Sequence, residues 1–168
     1  MQSSAHFSDC GRYRYCLSRH WGAGESCTFV GLNPSMANDT HNDATVSKCV
    51  RFAQKWGLSG MTLVNLYARR SRYPEALHAS KNPIGPDNDA WLADAIDDAS
   101  LIIAMWGNHG LRAYNNGIRR DLLVTRRRND WKCLGITKLG APKHPLYLPG
   151  TTAPRSFQIE TPSAPKIT

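Results

Sequence analysis

TFVGLNPSM, at residues 28–36, organises the rest of this chain. Its first residues form a short apolar run of the length of a buried strand, and Pro34 ends that run. Gly31 has no Cβ, so backbone or a ligand can approach it closely. Asn33 then lies at the carboxyl end of the strand, the edge at which open α/β sheets bind ligands. The alternative interpretation is an ordinary turn in which the Asn33 side chain caps backbone amides.

The composition indicates one globular domain with a polyanionic partner. The chain has 168 residues, of which 41% are hydrophobic, and a formal net charge of +8 at pH 7. A chain of this length forms one domain and buries a sizeable core. Excess positive charge favours nucleic acid as the partner. We expect residues 1–150 to form the domain and the Pro-, Ser- and Thr-rich residues 151–168 to form an extended tail.

Several classes of protein are disfavoured by the cysteines and the hydropathy. The five cysteines contain no Cys-x-x-Cys pair, which argues against a disulfide framework and a standard zinc or iron–sulfur site. Asp39, His41 and Asp43 have no standard metal-ligand spacing, and Asp43 better fits a helix cap. No apolar run is long enough for a membrane span, and the first residues are too polar for a signal peptide. We expect a cytoplasmic monomer with no metal, no cofactor and no membrane partner.

Apolar runs alternate with helical patterns along most of the chain. The apolar runs lie at residues 27–32, 61–66, 101–106 and 131–134, and helical spacing occurs at residues 43–57, 91–99 and 115–126. Alternation of strand and helix predicts right-handed crossovers and a parallel sheet. We therefore predict an α/β fold of three layers (αβα), with a four-stranded mainly parallel sheet, flanking helices and an N-terminal antiparallel hairpin strand.

That N-terminal strand is predicted from a period of two. Tyr13, Tyr15 and Leu17 fall on one face of residues 12–21, with polar residues between them. A Gly-rich turn at residues 22–25 separates this segment from the run at 27–32, so the two are expected to form an antiparallel hairpin. Residues 1–9 are polar, and we expect them to be loose.

Polar, Gly-rich or Pro-rich segments follow all four strands of the predicted parallel sheet. They are Asn33-Pro34-Ser35, Asn65, Gly107-Asn108-His109 and His144-Pro145. The carboxyl ends of parallel strands meet at one edge of a sheet, so these side chains are expected to converge there. This convergence predicts a binding or catalytic site. For each residue a plainer role stays open: Asn65 as a partner for backbone groups, His109 as a helix cap, and His144 as a surface loop residue.

Four blocks of the chain resemble motifs of the uracil-DNA glycosylase superfamily. GLNPS at residues 31–35 resembles its first motif, in the G-x-N-P form of the mismatch-specific and thymine-DNA glycosylases. LVNL at 63–66 resembles the second-strand Asn motif, and IIAMWG at 102–107 resembles the third strand with its Gly. KHPLYL at 143–148 resembles the last motif, H-P-S followed by a wedge residue, with Leu146 in place of the Ser.

Taken whole, the chain also resembles a bacterial and phage family that has no assigned activity. The blocks that carry this second resemblance are N-P-S, P-I-G-P-D-N-D, W-G-x-H-G and T-K-x-G-x-P-x-H-P-L-Y-L, between Asn33 and Leu148. This resemblance implies no reaction.

The resemblance to the uracil-DNA glycosylases implies a hydrolase that flips a pyrimidine out of DNA, cuts its N-glycosidic bond and leaves an abasic site. Asn33 would orient the attacking water, and His144 would donate a hydrogen bond to the departing base. The implied base-binding residues are Gly31, Leu32, Ser35, Asn65, Gly107 and His109. Because no Lys lies beside Asn33 in the sequence, we expect no lyase step.

DNA contacts are expected from basic residues and from one apolar wedge. The candidate DNA-binding residues are Arg119, Arg120, Arg126, Lys138 and Lys143, with Leu146 or Tyr147 as the wedge. The Arg side chains near residue 126 are alternatively a solvated helix end.

The identity of residue 35, a serine, indicates which substituents the base in the substrate can carry. In the classical uracil enzymes, a Tyr at this position excludes a substituent at position 5 of the base. Because Ser is small and polar, the resemblance implies a 5-modified pyrimidine, such as a hypermodified or glucosylated phage base, with uracil or mismatched thymine as alternatives. The biological role would be phage defence or DNA repair. Two other functions stay open: a hydrolase or transferase of free nucleotides or nucleosides, and a non-catalytic nucleic-acid-binding module.

Overall fold

The computed structural model describes residues 1–111, 126–127 and 130–159. In this part of the chain the elements are β1 (Gln2–Phe7), β2 (Arg14–His20), β3 (Ser26–Gly31), α1 (Ala44–Lys55), β4 (Gly60–Asn65), α2 (Glu75–His78), α3 (Asn88–Asp97), β5 (Leu101–Ala104), β6 (Trp131–Cys133) and β7 (Arg155–Ser156). The helix predicted at residues 115–126 lies, except for its last residue, outside the described residues.

The strands form one mixed sheet, and the predicted fold class is wrong. Seven strands of the described chain pair in the order β1-β2-β4-β3-β5-β6-β7. Three of the pairings are antiparallel, β1 with β2, β2 with β4 and β6 with β7. The described residues include α-helices of 12, 4 and 10 residues. The sheet is therefore not the four-stranded, mainly parallel sheet with flanking helices that the alternation predicts.

The error concerns the partners of the strands at the edges. The predicted hairpin between residues 12–21 and 27–32 does not form, because β4 pairs with both β2 and β3 and so lies between them. Residues 2–7, expected to be loose, form β1 and pair with β2 over its length. β1 is an exposed edge strand and β7 has only two residues, so neither carries the apolar pattern of a buried strand.

The ends of β3, β4 and β5 lie side by side at one edge of the sheet. β3 runs parallel to β4 and β5, with Gly31 opposite Asn65 and Val30 opposite Ala104. β5 is in turn parallel to β6. This local register brings the segments that follow these strands to a common edge.

Alternating residues of the central strands contribute to two apolar clusters. Phe29 packs in a cluster with residues of α1, whereas its neighbour Val30 packs in a cluster with residues of α3. This alternation is the expected consequence of the two-residue period of a strand. Phe157 and Ile159, within the predicted tail, belong to the second cluster, so packing continues past residue 150.

Helix α1 begins as the sequence predicts. Asp43 is its N-cap, and the carboxylate accepts a hydrogen bond of 2.9 Å from the amide of Val46. Asp87 holds the corresponding position of α3 but makes no side-chain capping bond there. All five cysteines are free, and only Cys10 is exposed. Among the described helices, none combines the length and apolar character needed to cross a bilayer.

Candidate functional site

A cavity of about 490 Å³ opens at the carboxyl ends of β3, β4 and β5. This volume lies in the range of small-molecule sites, roughly 300–1,000 Å³. Nine residues named from the sequence line it: Gly31, Leu32, Asn33, Ser35, Asn65, Gly107, His109, His144 and Tyr147. The predicted convergence of the strand ends therefore occurs, although the sheet that produces it is mixed.

Backbone hydrogen bonds hold the loops around this cavity. The amides of Leu66 and Tyr67 donate to the carbonyls of Gly31 and Leu32 and so continue the pairing of β3 and β4 into the loops. Beyond them, the amide of Ser71 donates to the carbonyl of Pro34 at 2.9 Å. The segment after β4 is thus fastened to the segment after β3.

The Asn33 side chain is part of the same fastening. Its amide nitrogen donates to the carbonyl of Ser71 at 2.9 Å and to that of Pro34 at 3.2 Å. Both bonds use the Nδ2 group, so the Oδ1 atom keeps its capacity to accept. Asn33 therefore lines the cavity with a side chain that is fixed in place and whose amide oxygen can still accept a hydrogen bond.

Asn65 is buried at the base of the cavity with its amide unsatisfied. The residue is 2% exposed, and Nδ2 has no hydrogen-bond partner among the described residues. The main chain beside it is held by Asn88, whose Nδ2 donates to the carbonyl of Asn65 at 3.0 Å. Leaving a buried amide unpaired costs free energy, so this position favours a polar ligand that pairs with it.

Residue 31 must be a glycine because the side chain of Asn65 occupies the space that a Cβ atom would need. A Cβ at residue 31 would lie 2.8 Å from Oδ1 of Asn65 and 3.2 Å from Cε of Met105. Because a carbon and an oxygen atom cannot approach so closely, any side chain here would displace Asn65 from the cavity wall.

Replacement of Gly31 by alanine should therefore overpack the base of the cavity. We expect Gly31→Ala to lower the free energy of unfolding by about 1–3 kcal/mol, measured by urea denaturation. Gly150→Ala is the matched control, because its Cβ would make only an ordinary contact of 3.5 Å with Nζ of Lys55. Equal stability of the two variants would contradict the assigned packing of Asn65.

His144 is held in one orientation by the turn that it caps. Its Nδ1 accepts a hydrogen bond of 3.3 Å from the amide of Leu146, at the start of a 3-10 turn over Pro145–Tyr147. An accepting Nδ1 implies a neutral ring with its proton on Nε2. Burial lowers the pKa of His144 below its ordinary value of 6.5, while the nearby Asp43 opposes this shift. His144 is therefore a neutral hydrogen-bond donor near pH 7.

The turn that carries His144 is fastened to the end of β5. The amide of Gly107 donates to the carbonyl of Pro142 at 2.9 Å, and the hydroxyl of Thr137 donates to Oδ1 of Asn108 at 2.6 Å. Gly107 has a φ of +68°, a conformation that favours glycine. His109, two residues on, has a buried Nδ1 with no partner among the described residues.

Sequence reasoning missed several residues of the cavity. Arg14, Asp43, Ser71 and Arg72 also line it. Arg14 lies on β2, an antiparallel strand, and so could not be found by inspecting the ends of parallel strands. A charged residue between the apolar Tyr13 and Tyr15 is the one signal that could have drawn attention to it.

Arg14 is a buried cation with few partners. It is 1% exposed, its Nη1 donates to the carbonyl of Ala37 at 2.8 Å, and its Nε has no partner among the described residues. Burial lowers the pKa of this guanidinium to about 10, so it remains charged at neutral pH. Asp43 raises that pKa, but no ion pair joins the two side chains within the described chain.

Of the predicted DNA-binding residues that the structure describes, Tyr147 lines the cavity. Arg126 forms an ion pair with Asp97 at the end of α3 and does not line the cavity. Lys138, Lys143 and Leu146 are also outside the lining, although both lysines are exposed. Tyr147 is 85% exposed and reaches the cavity mouth, which distinguishes it from Leu146. Arg119 and Arg120 lie outside the described residues.

Among the described residues, no group of three or more His, Cys, Asp or Glu side chains is arranged to hold a metal ion. Of the described residues that line the cavity, Asp43, which caps α1, is the only acidic one.

The family of the chain follows from a comparison with protein-family models. The model described as "Protein of unknown function (DUF1643)" matches residues 14–146. The chain belongs to this family. The DUF1643 match covers all of the described cavity-lining residues except Tyr147. No curated protein and no solved structure matches the chain significantly.

Proposed function

We propose that the protein is a DNA glycosylase that hydrolyses the N-glycosidic bond of a flipped pyrimidine and leaves an abasic site. One observation carries the proposal: Asn33, Asn65 and His144 line the same cavity, and His144 is held there as a neutral donor. A glycosylase that works by hydrolysis needs these three elements, a group that positions water, a group that reads the base and a donor to the base as it leaves.

The catalytic roles of His144 and Asn33 follow from the charges that develop on the base and the sugar during the reaction. As the bond to the base breaks, the sugar becomes positive and the departing base becomes negative. His144 stabilises the base by donating from Nε2 to a base carbonyl, and a neutral imidazole suffices for this. Asn33 accepts from the attacking water through Oδ1, since its Nδ2 is occupied by the carbonyls of Pro34 and Ser71.

Base recognition is assigned to Asn65. A pyrimidine presents adjacent donors and acceptors on one edge, and a single amide side chain can pair with both kinds. The Nδ2 group that has no partner in the described chain would then be satisfied by the ligand.

The mouth of the cavity supports duplex binding. Tyr147 is 85% exposed at the mouth, and Met36 and Tyr73, which adjoin the lining residues Ser35 and Arg72, are 49% and 70% exposed. Exposed apolar side chains around a base pocket can fill the space that a flipped nucleotide leaves. We assign the wedge to Tyr147, and the net charge of +8 favours the phosphate backbone.

Ser35 supports a substrate with a substituent at position 5. It lines the cavity, and its side chain is small and polar. We therefore place 5-modified pyrimidines before uracil and mismatched thymine as substrates.

Excision should depend on pH through His144. Since burial lowers the pKa of His144, the neutral donor form persists below pH 6.5, and kcat/KM should fall only at more acidic pH. The free energy of unfolding should also decrease as the pH falls below 6.5. The reason is that His144 binds a proton more readily in the unfolded chain than in the folded one. A pH profile of single-turnover excision measures the first effect, and an acid limb centred above 6.5 would contradict the assignment.

The proposal is tested with matched duplexes that contain uracil, mismatched thymine, 5-hydroxymethyluracil or a glucosylated pyrimidine. Alkali-labile abasic sites should form in at least one duplex and not in the unmodified control. Duplex binding should weaken steeply as salt increases. Cleavage of free nucleotides without any abasic site would favour the nucleotide hydrolase, and salt-sensitive binding without any reaction would favour the binding module.

A further inference from the structure

The cavity lining includes a positively charged side chain, that of Arg14, which the proposed hydrolysis does not use. Arg14 is 1% exposed and lines the cavity, yet its one hydrogen bond in the described chain goes to the neutral carbonyl of Ala37. A buried charge without an ion pair is costly, and proteins keep one where something compensates for it. Asp43 lies near enough to influence Arg14, but it is engaged as the cap of α1 and forms no ion pair with Arg14.

Arg19 shows how a structural arginine is satisfied in the same strand. It is also 1% exposed, but its guanidinium donates to the side chain of Asn42 and to the carbonyls of Ser4, Ser18 and Asn38. Those four acceptors use all three of its nitrogens. Arg14 has one acceptor and an unpartnered Nε among the described residues, and it alone of the pair faces the cavity.

The position of Arg14 indicates which part of a ligand it would meet. Its bond to the carbonyl of Ala37 places the guanidinium beside the segment that follows Ser35, and Arg14 and Ser35 line the same cavity. Arg72 lines the same cavity from the segment after β4 and is exposed. A substituent that leaves the base beside Ser35 would therefore run toward a buried guanidinium.

We propose that Arg14 forms a subsite for an anionic group of the substrate, and that this group is an acidic substituent at position 5 of the pyrimidine. A guanidinium suits this role because its planar fork can donate two parallel hydrogen bonds to a carboxylate or phosphoryl group. The inference rests on the proposed function in taking the ligand to be a pyrimidine base.

Calorimetric titration of the full chain with small ligands tests the subsite without any reaction. The probes are uracil-5-carboxylate, 5-hydroxymethyluracil, uracil and deoxyuridine 5′-monophosphate. We expect the acidic base to bind at least tenfold more tightly than 5-hydroxymethyluracil. Arg14→Gln should abolish this preference and keep the affinity for uracil, whereas the control Arg19→Lys should keep the preference.

A measurement on the unaltered protein covers the case in which Arg14→Gln does not fold. Inorganic phosphate should compete with uracil-5-carboxylate for the cavity but should leave the binding of uracil unchanged. Equal affinity for the acidic and the neutral bases would overturn the subsite. A gain for the nucleotide but not for the acidic base would overturn the assignment to position 5 and identify the phosphate as the anion.

The outcomes for the subsite and for the glycosylase are separable. Excision of neutral bases with no preference for an acidic one would support the glycosylase proposal and contradict the subsite proposal. A preference for the acidic base that depends on Arg14, with no abasic site from any duplex, would support the subsite proposal and contradict the glycosylase proposal.

Discussion

Substitution of His144 by alanine is expected to slow base excision by about 100- to 1,000-fold. The neutral ring is the proposed donor to the base as it becomes negative, and loss of one such donor typically costs about 2.7–4 kcal/mol of transition-state stabilisation. Because the effect falls on the transition state, kcat should decrease and the affinity for the duplex should change little. Single-turnover kinetics with excess enzyme measure the chemical step directly.

Two further variants separate catalysis from structure at this position. The ring of His144 also caps the turn over Pro145–Tyr147 through Nδ1, and asparagine is a good capping residue that offers no donor at the position of Nε2. His144→Asn should therefore fold like the wild type and be as slow as the alanine variant. His41→Ala, at an exposed loop histidine outside the cavity lining, should retain full activity. Full activity of His144→Asn would show that the residue has only a capping role.

Substitution of Asn33 by alanine is expected to slow excision by about 100-fold. The variant loses the oxygen that we propose orients water, and misplacement of a reacting group by about an ångström can cost roughly 100-fold. It also loses the two bonds to the carbonyls of Ser71 and Pro34, so some loss of duplex affinity should accompany the lower rate. Single-turnover rates and a duplex titration together divide the effect between chemistry and binding.

Asn38 provides the control for this substitution. Its Oδ1 accepts bonds from the amides of Thr40 and His41, so it too is a loop amide fixed to the backbone, but it does not line the cavity. Asn38→Ala should leave the rate of excision within a few-fold of the wild type. A similar loss in both variants would mean that loop order, rather than a water held by Asn33, accounts for the effect.

The sequence locates the strands of the buried sheet better than it identifies their partners. The runs at residues 27–32 and 61–66 correspond to β3 and β4, because continuous apolar residues are typical of strands covered on both faces. Their order in the sheet depends on contacts between residues that are distant in the chain. The polar edge strand Gln2–Phe7 pairs through its backbone and thus leaves little trace in the pattern of its side chains.

The same limit applies to the candidate site. Asn33 and Asn65 could be named because they lie at the ends of apolar runs, and His144 because it lies in the segment after the last run; strand ends are where ligands bind. Arg14 and Asp43 enter the cavity from an antiparallel strand and from a helix cap, and no local spacing connects them with the other lining residues. The phosphate contacts assigned to the basic residues stay a prediction, because charge alone does not give direction; Arg126 pairs with Asp97 and does not line the cavity.

Base excision is tested most directly by quantifying both of its products in one reaction. After incubation of the protein with the modified duplexes, mass spectrometry counts the free base, and aldehyde labelling counts the abasic sites in the recovered DNA. We expect equal molar amounts of the two products, no strand break before alkali treatment, and formation of both products about 100- to 1,000-fold more slowly with His144→Asn. Intact DNA from every duplex that the protein binds would contradict the glycosylase proposal.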